Sequence, residues 1–182
     1  HSTDETVKIA RRFTDRVFER DWTNFADQKN FANGKAMHPW VFSLDADERV
    51  SPELRKELLD LRGVEPALDA FSIPRQAFYL GRWVRHSGWY PDRKLRLFRK
   101  AKAHWEGDYV HERLVVEGPI GKLRGSIHHF TYRNIHEHLA RINTFSELGS
   151  KKLYSKKKKV RCYHILLLPF FRFLRAYRKS VV

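Results

Sequence analysis

The sequence predicts an α/β fold with a helix-and-strand first half and a β-rich second half. Three observations lead there. Helical and strand patterns alternate from residue 2 to 62, the rhythm of a sheet with crossover helices. "WVFSL", residues 40–44, is continuous rather than alternating, which suits a strand covered on both faces, as in a parallel sheet. Beyond residue 70, four strand-like runs are separated by turn residues.

In chain order, "STDETVKIARRF" predicts a short helix capped by Ser2 or Thr3, with acids in its first turn and basic residues in its last. "DRVFE" reads as a short strand. "NFADQKNFANGKAM" has helical spacing, with Phe25, Lys29 and Ala32 on one side and Gly34 weakening the end. After the strand at 40–44, Ser51 caps a helix with Pro52 at its first position, Glu53 in its first turn and Gly63 past its end. "AFSIPRQAFYLGRWV", "KLRLFR", "YVHERLVVEG" and "KLRGSIHHFTY" are the β-rich runs. "NIHEHLARINTFSELGSKK" returns to helix, with Ile135, Leu139, Ile142 and Phe145 on one stripe.

Composition bounds the function. An apolar fraction of 42% over 182 residues supports a real core. The single cysteine, Cys162, excludes an internal disulfide framework and a Cys-rich zinc site, and fits a reducing compartment. No apolar run is long enough to span a bilayer, and no signal-peptide pattern is present. The net charge of +15 is uneven: residues 151–182 hold eleven Lys and Arg and no acid, whereas the other 25 cations in 1–150 face 21 acids. The prediction is a nearly balanced body over 1–150 and a cationic appendage over 151–182. A basic face across the body, expected of a nucleic-acid binder, is missing.

The chemistry gathers in "HPWVFSLDADERVSPEL", where Asp45, Asp47 and Glu48 follow the strand. Ligands of open α/β sheets sit beyond the carboxyl ends of strands. Alternation along an extended chain puts Asp45 and Asp47 on one side. Two such carboxylates suit a hard divalent ion, Mg²⁺ or Mn²⁺, shared with substrate phosphates. The plainer reading is solvated turn acids ahead of a helix, with Glu48 favourable near its N-terminus.

"HSTDETVKIA", "ADQKNFA", "WVFSLDADERVSPEL", "GWYPDRKLRLFRK" and "VHERLVVEG" together resemble family 2 glycosyltransferases. Within that family they are similar to the lipopolysaccharide-core glucosyltransferases, which add glucose to an inner-core heptose. The resemblance implies a GT-A fold, a Rossmann-like nucleotide half followed by a β-rich acceptor half. It implies an inverting, metal-dependent transfer from UDP-glucose to a lipid-linked saccharide at the cytoplasmic face of a bacterial inner membrane. It also implies a further strand ahead of His1, so the chain is expected to be an internal piece of a longer enzyme.

Residue by residue, the resemblance sets Ser2, Thr3 and Asp4 beside the nucleotide and Lys29 and Asn30 as the basic-Asn pair, with Lys29 reaching the base or a phosphate. Asp45 would face the ribose or the metal, and Asp47 would be the main ligand of Mg²⁺ or Mn²⁺. Glu112 would be the general base, with His111 tuning it; a strand glutamate paired with Arg113 is the alternative. His129 would supply a late metal or diphosphate contact, with His128 as the competing choice. His136 and His138, two apart on a helix, cannot share one ion and are expected at the surface.

Trp89, Tyr90, Asp92 and Arg96 are the candidates for holding the acceptor, since aromatic faces stack on sugars and cations meet phosphate groups. The alternative makes Trp89, Leu95, Leu97 and Phe98 ordinary core. The tail "KKLYSKKKKVRCYHILLLPFFRFLRAYRK" sets a polybasic run beside an apolar segment, the pattern of in-plane attachment to an anionic membrane. A same-fold transferase acting on another glycan or a polyprenyl phosphate, and a non-catalytic basic membrane- or nucleic-acid-binding module, are the competing functions.

Overall fold

The computed structural model describes residues 3–64, 66–86, 88–107, 112–155, 157, 159 and 161–181, with 179–181 described by their backbone alone. Ser2 and His111 lie outside these residues. The chain opens with α1 (Thr6–Ala10). Asp4, rather than Thr3, serves its start by accepting a hydrogen bond from the Thr6 N–H at 3.1 Å. The expected strand at 15–19 is irregular instead. A strand needs a backbone partner, and here side chains tie the segment along the next helix, α2 (Phe25–Lys35). Arg20 pairs with Asp27 at 2.6 Å, and the Phe18 and Phe31 rings meet edge to face. Asn24 caps α2 by accepting from Asp27 N–H.

The central sheet runs β1 (Trp40–Phe42), β5 (Asp92–Arg99), β3 (Ala70–Tyr79), β9 (Ile127–Phe130), β2 (Glu48–Val50). Pairing is parallel for β3 with β9 and with β8 (Ile120–Lys122), and antiparallel elsewhere. β4 (Arg82–Trp83) returns on β3 through Leu80 and Gly81, both at positive φ, as a two-residue hairpin requires. β6 (Ala103–Glu106) and β7 (Arg113–Val116) form a separate ribbon. The fold is thus mixed α/β, consistent with the expected GT-A architecture.

β1 departs from expectation in part. Its side chains do reach both faces of the sheet, Trp40 and Phe42 into one apolar cluster and Val41 into the other. Its neighbour β5 is antiparallel, however, and the strand stops at Phe42. The first cluster is centred on Leu54, Phe71, Ile73 and Ile127, beneath α3 (Pro52–Asp60). The second joins Ala26 of α2 to Phe98 and Trp105. α3 is built as predicted: Ser51 accepts from Leu54 N–H, Pro52 starts the helix, and Gly63 follows it at φ +82°.

Two helices close the chain, α4 (Ile135–Ser155) and α5 (Cys162–Val181). α4 runs through the expected boundary at 150/151. Along its predicted stripe Ile135, Leu139, Ile142 and Phe145 are all exposed, and Phe145 also borders a cavity. Among the described residues no helix is long and apolar enough to cross a membrane.

The base of the site rests on α3 gripping the turn before β9. Glu57 accepts hydrogen bonds from the Arg124 and Gly125 N–H groups at 3.0 and 2.9 Å. A Cβ on Gly125 would stand 2.2 Å from the Leu54 nitrogen, a backbone atom that cannot swing aside. Gly125→Ala is therefore expected to push the turn off α3 and cost about 1–3 kcal/mol. Urea unfolding measures it; wild-type stability would contradict this packing.

Candidate active site

Asp45 to Glu48 is a tight turn rather than an extended stretch. Glu48 N–H donates to the Asp45 carbonyl at 3.0 Å, and Asp45 N–H donates back to the Glu48 carboxylate at 3.0 Å. The turn thus carries three acids in three environments. Glu48 is wholly buried, Asp45 is partly covered, and Asp47 is half exposed.

Arg96 organises them. It lies on β5 with 4% of its side chain exposed and donates to Asp45 and Glu48 at 2.6 Å each. Arg75 of β3 adds a second cation 3.6 Å from Glu48 and is itself fixed by Asp92 at 2.7 Å. Partial burial pushes the Asp45 carboxyl up. The hydrogen bond and charge of Arg96, joined by Lys29, outweigh that and hold it below the usual carboxylate range. For Arg96, burial disfavours the charge, and its hydrogen bond to Asp45 with the charge of Glu48 restores and strengthens it.

Lys29 of α2 bridges the two halves of the site. Its ammonium stands 3.1 Å from Glu112 and 3.4 Å from Asp45, over the Trp105 ring at 4.4 Å. Arg113 pairs with Glu106 instead, so Glu112 is not spent on its sequence neighbour. Across the turn, His129 Nε2 meets the Asp47 carboxylate at 3.1 Å. His128 packs on the Trp83 ring, with centroids 4.5 Å apart, so of the two histidines His129 is the one beside the acids.

These groups share a cavity of about 440 Å³. Lys29, Asp45, Asp47, Glu112 and His129 all line it, closed on one side by Arg141 and Phe145 of α4. A second hollow of about 400 Å³ adjoins it through His129, Thr131 and Tyr132, and Trp89 and Asp92 form its far wall. A third, of about 570 Å³, continues past Glu112 among Lys94, Arg96 and Arg113.

Several expected site residues have partners of their own within the protein. Asp4 caps α1 at the surface and lines none of these cavities. Asn30 gives both ends of its amide to the Trp105 backbone at 2.8 Å, clamping α2 to β6. Arg96, expected at the acceptor, donates to Asp45 and Glu48 at 2.6 Å each and also borders the third hollow. Tyr90 is half-buried and not among the lining residues. Phe98 is core, whereas Leu95 and Leu97 are only partly buried and Trp89 is 37% exposed. His138, expected at the surface, bonds Tyr79 at 2.7 Å and stacks on Tyr132, so it anchors α4.

Sequence reading assigns no site role to Glu48 or Phe145, which it singles out for other reasons, and none to Arg75, Tyr132 and Arg141. A signal existed for one part of this. Along β5, Arg96 shares the face of fully buried Phe98, and a cation there demands buried acids. The others come together only through tertiary packing.

Among the described residues no group of three His, Cys, Asp or Glu side chains stands ready for a metal. The donor pair on the cavity is Asp47 with His129. A carboxylate with few other protein ligands fits Mg²⁺ or Mn²⁺, which take their remaining donors from substrate phosphates and water. Asp45, bound by Arg96 and Lys29, sits beside that pair.

Replacing Arg96 with methionine leaves Glu48 buried with only the more distant Arg75. A loss of about 3–5 kcal/mol is expected in denaturant unfolding. Because Asp45 titrates below the ordinary range, its share of the clamp is complete above that range and disappears as pH falls through the lowered value. Wild-type stability of Arg96→Met would contradict the clamp.

Comparison with known proteins joins this geometry to a family. Residues 1–114 match the family described as Glycosyl transferase family 2. The lipopolysaccharide core biosynthesis glycosyltransferase LpsC of Rhizobium meliloti (strain 1021) is 31% identical over 98% of this chain and 69% of that protein. Uncharacterized glycosyltransferases of Rickettsia typhi and Rickettsia felis are 26% and 24% identical over 97% of the chain, which spans 64% and 66% of their lengths. The chain belongs to glycosyl transferase family 2.

Proposed function

We propose that the protein transfers a hexose from a nucleoside-diphosphate donor to a lipid-linked saccharide, with inversion at the anomeric carbon. The observation that carries this reading is the meeting of Asp45, Asp47, His129, Lys29 and Glu112 on one cavity. Asp47 and His129 would hold Mg²⁺ or Mn²⁺, and the ion's contribution is to neutralise the diphosphate as it departs. UDP-glucose as donor and a lipopolysaccharide inner-core heptose as acceptor rest on the family resemblance. The name of the Rhizobium relative supports that setting.

In the reaction the acceptor oxygen forms its bond to the anomeric carbon as the carbon–diphosphate bond breaks. Glu112 takes the hydroxyl proton, directly or through a water. Before substrate arrives the Lys29 ammonium stands 3.1 Å from the Glu112 carboxylate. A donor diphosphate offers Lys29 a competing anion, so its arrival frees Glu112 for the proton. The hollow walled by Trp89 and Asp92 suits the acceptor sugar, whose face stacks on the indole and whose hydroxyls meet the carboxylate. The cationic segment 151–182 fits the anionic cytoplasmic face of the inner membrane, where a lipid-linked acceptor would be found. The balanced charge of 1–150 speaks against nucleic acid as partner.

Calorimetry with UDP is expected to give binding that Mn²⁺ strengthens. Asp47→Ala should weaken it about tenfold or more. Glu112→Gln should keep UDP affinity and lower turnover about 10²–10⁴-fold. Metal-independent binding unchanged by Asp47→Ala, or an active Glu112→Gln enzyme, would reject the reading.

A further inference from the structure

α4 has two faces with different surroundings. Toward the body, His138 is held by Tyr79 and Tyr132, and Arg141 and Phe145, the latter 41% exposed, border the cavity that contains Glu112. On another face, Ile135, Leu139 and Ile142 recur at helical spacing and are 60%, 55% and 45% exposed. Three large aliphatic side chains in one row on a soluble face would be costly without a partner.

The chain that follows tells what the partner is. After Glu147 there is no acid before the C-terminus, and eleven Lys and Arg fall between 151 and 182. α5 repeats the pattern of α4: Leu166, Phe170, Phe173 and Tyr177 recur four, three and four apart, all exposed. Arg172 and Arg175 follow a different row. A cationic, acid-free segment continuous with an exposed apolar row complements an anionic bilayer better than a neutral protein surface.

We infer that the outer row of α4, Ile135, Leu139 and Ile142, is a second membrane-contact element that inserts into the anionic lipid surface engaged by the tail. α4 is then the partition between bilayer and active site. A helix is about 10–12 Å across. Lipid against the outer row therefore brings the bilayer within about one helix diameter of Arg141, Phe145 and the cavity behind them. A saccharide anchored in that leaflet reaches Glu112 without leaving the surface. The inference rests on the tail's attachment to the membrane, and it adds an orientation that the tail alone does not impose.

The test uses the full chain with Cys162→Ser and one new cysteine carrying an environment-sensitive fluorophore, at Leu139 or, on the opposite side of α4, at Thr144. Vesicles of phosphatidylcholine with phosphatidylglycerol are compared with phosphatidylcholine alone. The fluorophore at 139 is expected to shift to the blue on the anionic vesicles, and the one at 144 to remain as in water. Leu139→Glu with Ile142→Glu should weaken vesicle partitioning about tenfold, with unaltered circular dichroism and UDP binding. Vesicle-bound protein with no shift at 139 would overturn the inference and leave the tail's role standing. A shift without lipid that grows with protein concentration would assign the row to a second copy of the chain and overturn it as well. Binding to a duplex oligonucleotide in preference to anionic vesicles would overturn both membrane readings. UDP binding, measured on the same samples, reports separately on the transferase reading.

Discussion

The site depends on one buried cation. Arg96 carries its charge into the sheet, where an isolated ion would cost several kcal/mol. Asp45 and Glu48 meet that cost by accepting hydrogen bonds from the guanidinium at 2.6 Å each. They come from the two ends of a single tight turn, so satisfying Arg96 also sets the turn's shape. Asp47, inside that turn, is thereby presented to His129 and the cavity. A buried ion pair is weak evidence for stability but a good device for specifying one geometry, and here it specifies where an acid faces open space.

A second charge relay extends from the same turn. Asp45 touches Lys29 as well as Arg96, and Lys29 touches Glu112. Asp45 of the acidic turn and the candidate base are therefore linked through one ammonium group that is only 20% exposed. A low-dielectric setting strengthens each of these contacts and makes their partners hard to exchange one at a time. A diphosphate entering the cavity is the kind of ligand that redistributes them together, since it supplies the negative charge Lys29 would otherwise take from Glu112.

Much of the fold was legible in the sequence. Ser51 and Pro52 state the start of α3 by local chemistry alone, and the capping geometry follows. The strand after residue 40 was legible as apolar on both faces, yet its antiparallel neighbour was not, because β5 arrives from 50 residues away. "DRVFE" has strand-like residues but pairs with no strand among the described elements, and side-chain ties to α2 hold it instead. The site divides in the same way. Asp45, Asp47 and Glu112 stand out by type and motif. Arg96 stands out by type too, but its burial, and hence its role, depends on acids from β2 and its turn. Phe145 stands out by spacing only as part of an apolar stripe, and Arg141 not at all. It is His138, held by Tyr79 and Tyr132, that seats this helix on the site.

The central claim is that the Arg96–Glu48 pair matters for the shape of the turn rather than for stability as such. Exchanging both partners for methionine separates the two. Lys29 remains for Asp45 and Asp92 for Arg75, so no buried charge is left alone. The Arg96→Met/Glu48→Met protein is expected to unfold in urea close to wild type while binding UDP with Mn²⁺ at least about tenfold more weakly. A stable double variant that binds UDP and Mn²⁺ as the wild type does would contradict the account.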